Sequence, residues 1–146
     1  MTTAFLEPPV EQRVKDGLVA AWDPETAPPD TARPGWIATL HVDDDWRPSD
    51  DNPELLVAND GGPRVYGGPW AGRRAHRRPL LRLTAFAKGR GKARMVVMTA
   101  ADWVYDHKAD VGITRIDDVS DPLITRDRAT GAYLASVTMP AIVRPG

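Results

Sequence analysis

The sequence predicts an α+β fold: a single mixed, largely antiparallel β-sheet with two main α-helices packed mainly on one face. Three observations predict it. Apolar residues recur at helical spacing in two segments, 9–22 and 92–107. Short stretches between and after them alternate apolar and polar residues with the period of a strand, most clearly at 80–87 (LLRLTAFA) and 132–143. The order is thus a helix, several strands, a second helix and several more strands, which suits one sheet covered mainly on one side. A chain of 146 residues with 42% hydrophobic content fits one domain and buries roughly two thirds of its unfolded surface. Its 14 prolines and 12 glycines point to long ordered loops.

The first helix is expected at 9–22, where Val10, Val14 and Leu18 form one apolar stripe. Pro9 sits in the first turn without losing a hydrogen bond, Gly17 weakens the helix by about 1 kcal/mol relative to Ala, and Pro24 ends it. Residues 23–35 (DPETAPPDTARPG) are a proline-rich connection, and 36–42 (WIATLHV) alternate as a strand. A polar loop at 43–53 leads to a short strand at 54–58, and NDGG at 59–62 turns into another short strand near 64–66. Residues 67–79 (GGPWAGRRAHRRP) have no period and read as a loop, and a loop of that length in a compact domain is usually functional or mobile. After the strand at 80–87, residues 88–92 turn into the second helix. Ala93, Val96, Val97, Ala100 and Val104 form its inner face, flanked by Met95, Met98 and Trp103, and Gly112 follows as a stop. Strands are expected at 113–119 and 123–127, then a turn at 128–131 (RATG) and the long strand 132–143. Pro140 places that last strand at an edge, or bends it there.

The formal charge of −1 conceals strong segregation. Residues 1–60 hold thirteen acids against four bases, whereas 61–101 hold ten Lys and Arg and no acid. Such polarity suits a basic surface for a polyanion, or a subunit whose positive part docks on a neighbour's negative part. The basic residues include Arg73, Arg74, Arg77, Arg78, Arg82, Lys88, Arg90, Lys92 and Arg94; the acidic loop carries Asp43, Asp44, Asp45, Asp50 and Asp51. Trp36, Trp46 and Trp70 lie near loops, where a Trp packs on its own domain or anchors an interface.

Motifs for chemistry fail on inspection. A phosphate loop ending at Lys92 requires Gly at 86 and Ser or Thr at 93, but the chain has Phe86 and Ala93. A dinucleotide fingerprint from Gly89 requires a small residue at 94, which is Arg94. The Asp cluster at 43–51 lacks the glycine and terminal Glu of a calcium loop. His41, His76 and His107 lack zinc-site spacing, and Ser49, Ser120 and Ser136 lie in no nucleophile elbow. With no cysteine there is no disulfide, thiolate site or thiol nucleophile. The opening MTTAFLEPPVEQ does not read as a signal peptide, and no apolar run is long enough for a membrane helix. The reading is a non-enzymatic protein without cofactor or metal. Sequence-specific nucleic-acid recognition has no motif either, and a small basic nucleic-acid-binding domain is the alternative.

Several stretches together resemble the tail terminator proteins of long-tailed (siphovirus) bacteriophages, especially those infecting actinobacteria. They are RPSDD at 47–51, LLVANDGGP at 55–63, PLLRLTAFAKGR at 79–90, DDVSDPL at 117–123 and TGAYLASVTMP at 130–140. The resemblance spans most of residues 10–145 and rests on their order and spacing; the run GRRAHRR is more basic than the family pattern. It implies one tail-terminator-like domain over 1–146 with extended loops near 23–35, 43–53 and 67–79. It further implies a virion protein, assembled in the host cytoplasm, that forms a homo-oligomeric ring, usually a hexamer. Such a ring caps the tail tube protein, stops its polymerisation and joins the head-tail connector protein. Closed rings use two different, complementary patches per subunit. A basic patch from 64–94, with Trp70, against a neighbour's acidic patch from 43–60 meets that need, although the two patches can also pair within one subunit. The arginines can instead face the central channel and contact DNA without sequence preference.

Overall fold

A computed structural model describes residues 8–61, 64–65 and 76–143, with backbone only at 64–65 and 76–77. Helix α1 (Val10–Trp22) is followed by strands β1 (Ile37–Thr39), β2 (Glu54–Asn59), β3 (Arg64–Val65), β4 (His76–Arg77) and β5 (Leu80–Ala87). Helix α2 (Arg90–Asp106), a short 3-10 turn (Lys108–Val111), and strands β6 (Ile113–Ile116), β7 (Leu123–Arg126) and β8 (Tyr133–Val143) complete the order. The fold is α+β with one sheet, as expected. Among the described residues only β1 and β2 pair in parallel, and every other pairing is antiparallel.

Strand β8 is the spine of the sheet. Along one side it pairs with β5 from Tyr133 to Pro140, and β4 continues that line at Val143. Along the other side it pairs first with β7 and then with β6. β2 joins the free side of β5, and β1 closes that edge. The long strand is therefore central rather than at an edge. Pro140 is tolerated there because its peptide faces the break between β6 and β7, where the ladder is already interrupted. Its carbonyl accepts the Asp117 N–H at 2.9 Å, and its missing N–H points to that same irregular segment.

Alternation along the strands sends one set of side chains to the helices. Leu55, Val57, Leu81, Leu83, Ala85, Ala135, Val137, Met139 and Ala141 are buried, and so are Val14, Leu18 and Trp22 of α1 and Ala93, Val96, Val97, Ala100 and Val104 of α2. The small Ala residues of α2 let that helix lie close over β5 and β8. None of the described helices is long and apolar enough to cross a membrane.

Gly17 has a tertiary reason. A Cβ there would collide with the indole of Trp103, which packs face to face at 4.5 Å with His107, the residue that caps the C-terminus of α2. Glycine is thus the residue that lets α1 and α2 approach. The expected loop at 67–79 ends in the two-residue β4, and the remainder of 66–75 lies outside the described residues.

Two stability outcomes follow from this packing. Gly17→Ala, which raises helix propensity by about 1 kcal/mol, is expected to lower stability because the Trp103 ring must shift, an overpacking cost of about 1–3 kcal/mol. Leu83→Ala, at a fully buried position, is expected to cost about 2–5 kcal/mol. Urea denaturation followed by far-ultraviolet circular dichroism measures both, and a stabilised Gly17→Ala protein would refute the packing account.

Candidate interaction surface

The antiparallel register of β2 and β5 decides where the charges meet. Glu54 at the start of β2 pairs with Phe86 at the end of β5, so the acidic loop 43–53 lies beside the turn into α2. There Lys88 Nζ stands 3.6 Å from Asp50 Oδ1. At the opposite end of the same pair of strands, Arg82 Nη2 reaches Asp60 Oδ1 at 3.2 Å. Two of the basic residues therefore pair with acids of their own subunit. Both pairs are exposed, so solvent screening leaves them little weight in stability.

Arg90, Lys92 and Arg94 occupy the first turns of α2. Lys92 Nζ lies 5.5 Å from the Trp36 ring centroid, and the Arg33 guanidinium lies 5.8 Å from it. Arg90 and Arg94 are exposed and form no ion pair among the described residues. The first turn of α2 contains no acid, and its N-cap Gly89 makes no side-chain cap. Cations at the positive end of a helix dipole oppose the helix rather than support it.

The acidic loop is stiffened by its own hydrogen bonds. The Trp46 indole N–H donates to the Asn52 carbonyl at 3.1 Å, the Ser49 N–H to Asn52 Oδ1 at 2.7 Å, and the Asp45 N–H to Asp43 Oδ1 at 2.8 Å. Trp46 then meets Phe86 edge-on at 5.9 Å, which holds the loop against the sheet. Asp43, Asp44, Asp45, Asp50 and Asp51 are all exposed on this frame. Trp36 stacks edge-on against Trp22 at 5.4 Å, so both described loop tryptophans pack on their own domain.

The helices leave the second face of the sheet open to the acidic loop, whose Trp46 stands edge-on over Phe86. In register it presents Ile37, Glu54, Phe86, Leu134 and Thr125 in one row, and Thr39, Leu56, Thr84, Ser136 and Leu123 in the next. Leu123 is 68% exposed and Ile37 49%. Thr84 and Ser136 share a hydrogen bond of 3.0 Å between their hydroxyls, which satisfies the polar centre of the face. Glu54 was not among the residues singled out by sequence. Its Oε2 is buried with no hydrogen-bond partner among the described residues, and burial, reinforced by the negative Asp43, holds its carboxyl above the ordinary 4.5. Alternation within β2 could have placed it on the open face, but its burial depends on the loop folding over.

The remaining expected residues are dispersed. Arg78 is exposed and lines a shallow cleft of about 300 Å³ with Gly61, Pro79, Leu80, Asp117, Pro140 and Ala141. Arg77 contributes its backbone to β4, and its side chain, like Trp70, Arg73 and Arg74, lies outside what is described. Met95 and Met98, expected to flank the inner face of α2, point outward, Met95 being 55% exposed. His107 is held by its Nδ1 to the Trp103 carbonyl at 2.8 Å, Ser120 accepts the Thr138 N–H, and Ser136 is the partner of Thr84. Among the described residues no three of His, Asp and Glu gather to hold a metal ion. No protein-family model and no curated protein sequence matches this chain.

The raised Glu54 carboxyl has a worked sign. The folded state holds the proton more tightly than the unfolded state, so this group's contribution to stability falls as pH rises from the ordinary carboxyl value through the raised one. Glu54→Gln is expected to be more stable than the parent near pH 7 and to lose that advantage as pH falls toward about 4. Thermal melts across that range check it; a constant difference between the two proteins would refute it.

Proposed function

We propose that this chain is a ring-forming tail terminator of the long-tailed bacteriophage type. Copies of it assemble into a closed homo-oligomer, in the expected form a hexamer, which caps the tail tube, stops tube polymerisation and offers the head connector a joining surface. The reading makes it a structural virion protein at the head-proximal end of the tail, with no chemical step.

The observation that carries the proposal is where the resembling stretches fall. LLVANDGGP contains most of β2, PLLRLTAFAKGR contains β5 and the entry to α2, DDVSDPL runs along β8, and TGAYLASVTMP contains most of β8. β2, β5 and β8 are the strands at the centre of the sheet. On the face turned away from the helices Leu123 and Ile37 are exposed and Leu56, Phe86 and Leu134 are half-buried, apolar surface that supports association. The basic residues at Arg78, Arg90 and Arg94 also support a second reading, a small nucleic-acid-binding domain, or DNA contact inside the ring's channel.

Size-exclusion chromatography with light scattering is expected to give a particle of several subunits without nucleic acid. Added to polymerising tail tube protein, the particle is expected to halt growth. A monomer that leaves tube growth unhindered and binds DNA with steep salt dependence would overturn the terminator reading in favour of the second.

A further inference from the structure

We propose that residues 40–53 form a strap across the sheet that acid holds shut and neutral pH releases, with Glu54 as the group that takes up the proton. The inference stands apart from the terminator reading. Topology forces the crossing. β1 and β2 run parallel, with Ile37 opposite Glu54 and Thr39 opposite Leu56, so the chain leaving Thr39 must return to the start of β1 before β2 begins. The helices cover one side of the sheet, and the contact of Trp46 with Phe86 places the returning segment on the other. Leu55 and Val57 are buried toward the helices, so alternation turns Glu54 to the side of the strap.

The strap is bonded to itself. Asn52 Oδ1 accepts the Ser49 N–H at 2.7 Å, its Nδ2 donates to the Arg47 carbonyl at 2.7 Å, and its carbonyl accepts the Trp46 indole N–H. Arg47 donates to the Asp44 and Trp46 carbonyls at 3.0 and 2.8 Å. Compact loops of this kind are packed by their own side chains, so this one can leave the sheet without losing those bonds. Its holds on the sheet include the edge-on contact of Trp46 with Phe86 and the exposed Lys88–Asp50 pair, which solvent weakens.

Against those holds stands a carboxyl that closure buries. Glu54 Oε2 is shut off from water and has no hydrogen-bond partner among the described residues. A neutral carboxyl tolerates that place better than a carboxylate, which loses its hydration without replacement. Charged and titratable groups approach it from three elements. The strap brings Asp43, the exposed Asp44, Asp45, Asp50 and Asp51, and Arg47, which is turned to the strap's own carbonyls. β5 sets Phe86 opposite Glu54, with Lys88 beyond it on Asp50. β1 sets Ile37 opposite, with the exposed His41 two residues past its end. Burial, and after it the negative Asp43, disfavour the carboxylate. Opening returns Oε2 to water and parts the two acids. The closed state therefore holds the proton more tightly, and its population falls as pH rises from the ordinary 4.5 through the raised value.

The ring of Trp46 reports the strap, because it leaves Phe86 on opening. The full chain is labelled with fluorotryptophan and followed by fluorine NMR from about pH 4 to about pH 8. The change of each resonance between light and heavy water reads the exposure of its ring, and Trp46→Phe assigns the Trp46 signal. Trp46 exposure is expected to grow with pH while Trp22, Trp36 and Trp103 stay constant. Glu54→Gln is expected to keep the acid value throughout, and Asp43→Asn to move the rise to lower pH. A flat Trp46 signal in the parent overturns the proposal, and so does an unchanged titration in Glu54→Gln. If all four rings become exposed together, the chain opens as a whole and the strap is not a separate device.

Discussion

β8 carries the fold because it is hydrogen-bonded on both sides over nearly its whole length. β5 and β4 line one side, and β7 and β6 line the other. Its alternation sends Ala135, Val137, Met139, Ala141 and Val143 into the helical layer and Leu134, Ser136, Thr138, Pro140 and Ile142 to the opposite face. A slip of one residue would exchange the two sets, so burial under α2 fixes the register of β8 and, through it, of β5 and β2. The helices lie where they do because the larger buried side chains are all on one side. The open face is the complement of that choice.

The same register converts a linear pattern of charge into a spatial one. Acids concentrated before residue 61 and bases concentrated after it would lie far apart in an extended chain. Pairing β2 against β5 folds the two segments back on each other, and Arg82 meets Asp60 while Lys88 meets Asp50. Among the described residues, the charges left outside internal ion pairs include Arg90 and Arg94 at the start of α2, Arg78 by the cleft, and Asp43, Asp44, Asp45 and Asp51 of a loop stiffened by Trp46 and Asn52.

Two residues that look like local defects make sense only in three dimensions. Gly17 lowers the intrinsic stability of α1, yet it makes room for the Trp103 ring and so sets the approach of the two helices. Pro140 lacks a donor in a central strand, yet it faces the interval between β6 and β7, where the neighbouring segment is already irregular. In both cases a local cost is offset by packing between distant segments, and neither can be judged from its own window of sequence.

Much of the architecture was legible from the chain. Helical spacing of Val10, Val14 and Leu18, and of Ala93, Val96, Val97 and Ala100, determined both helices to within about two residues, and alternation determined β2, β5 and β8. Local periodicity suffices there because one face of each element is buried and the other is not. The positions of Asp43, Asp44, Asp45, Asp50 and Asp51 on a loop, and the exposure of Arg90 and Lys92, were legible for the same reason. Strand order, the central place of β8, the internal pairing of Arg82 and Lys88 and the burial of Glu54 were decided by tertiary structure alone. Each depends on which distant segments lie side by side, and that is settled by the joint burial of the core, a quantity no single stretch of residues contains.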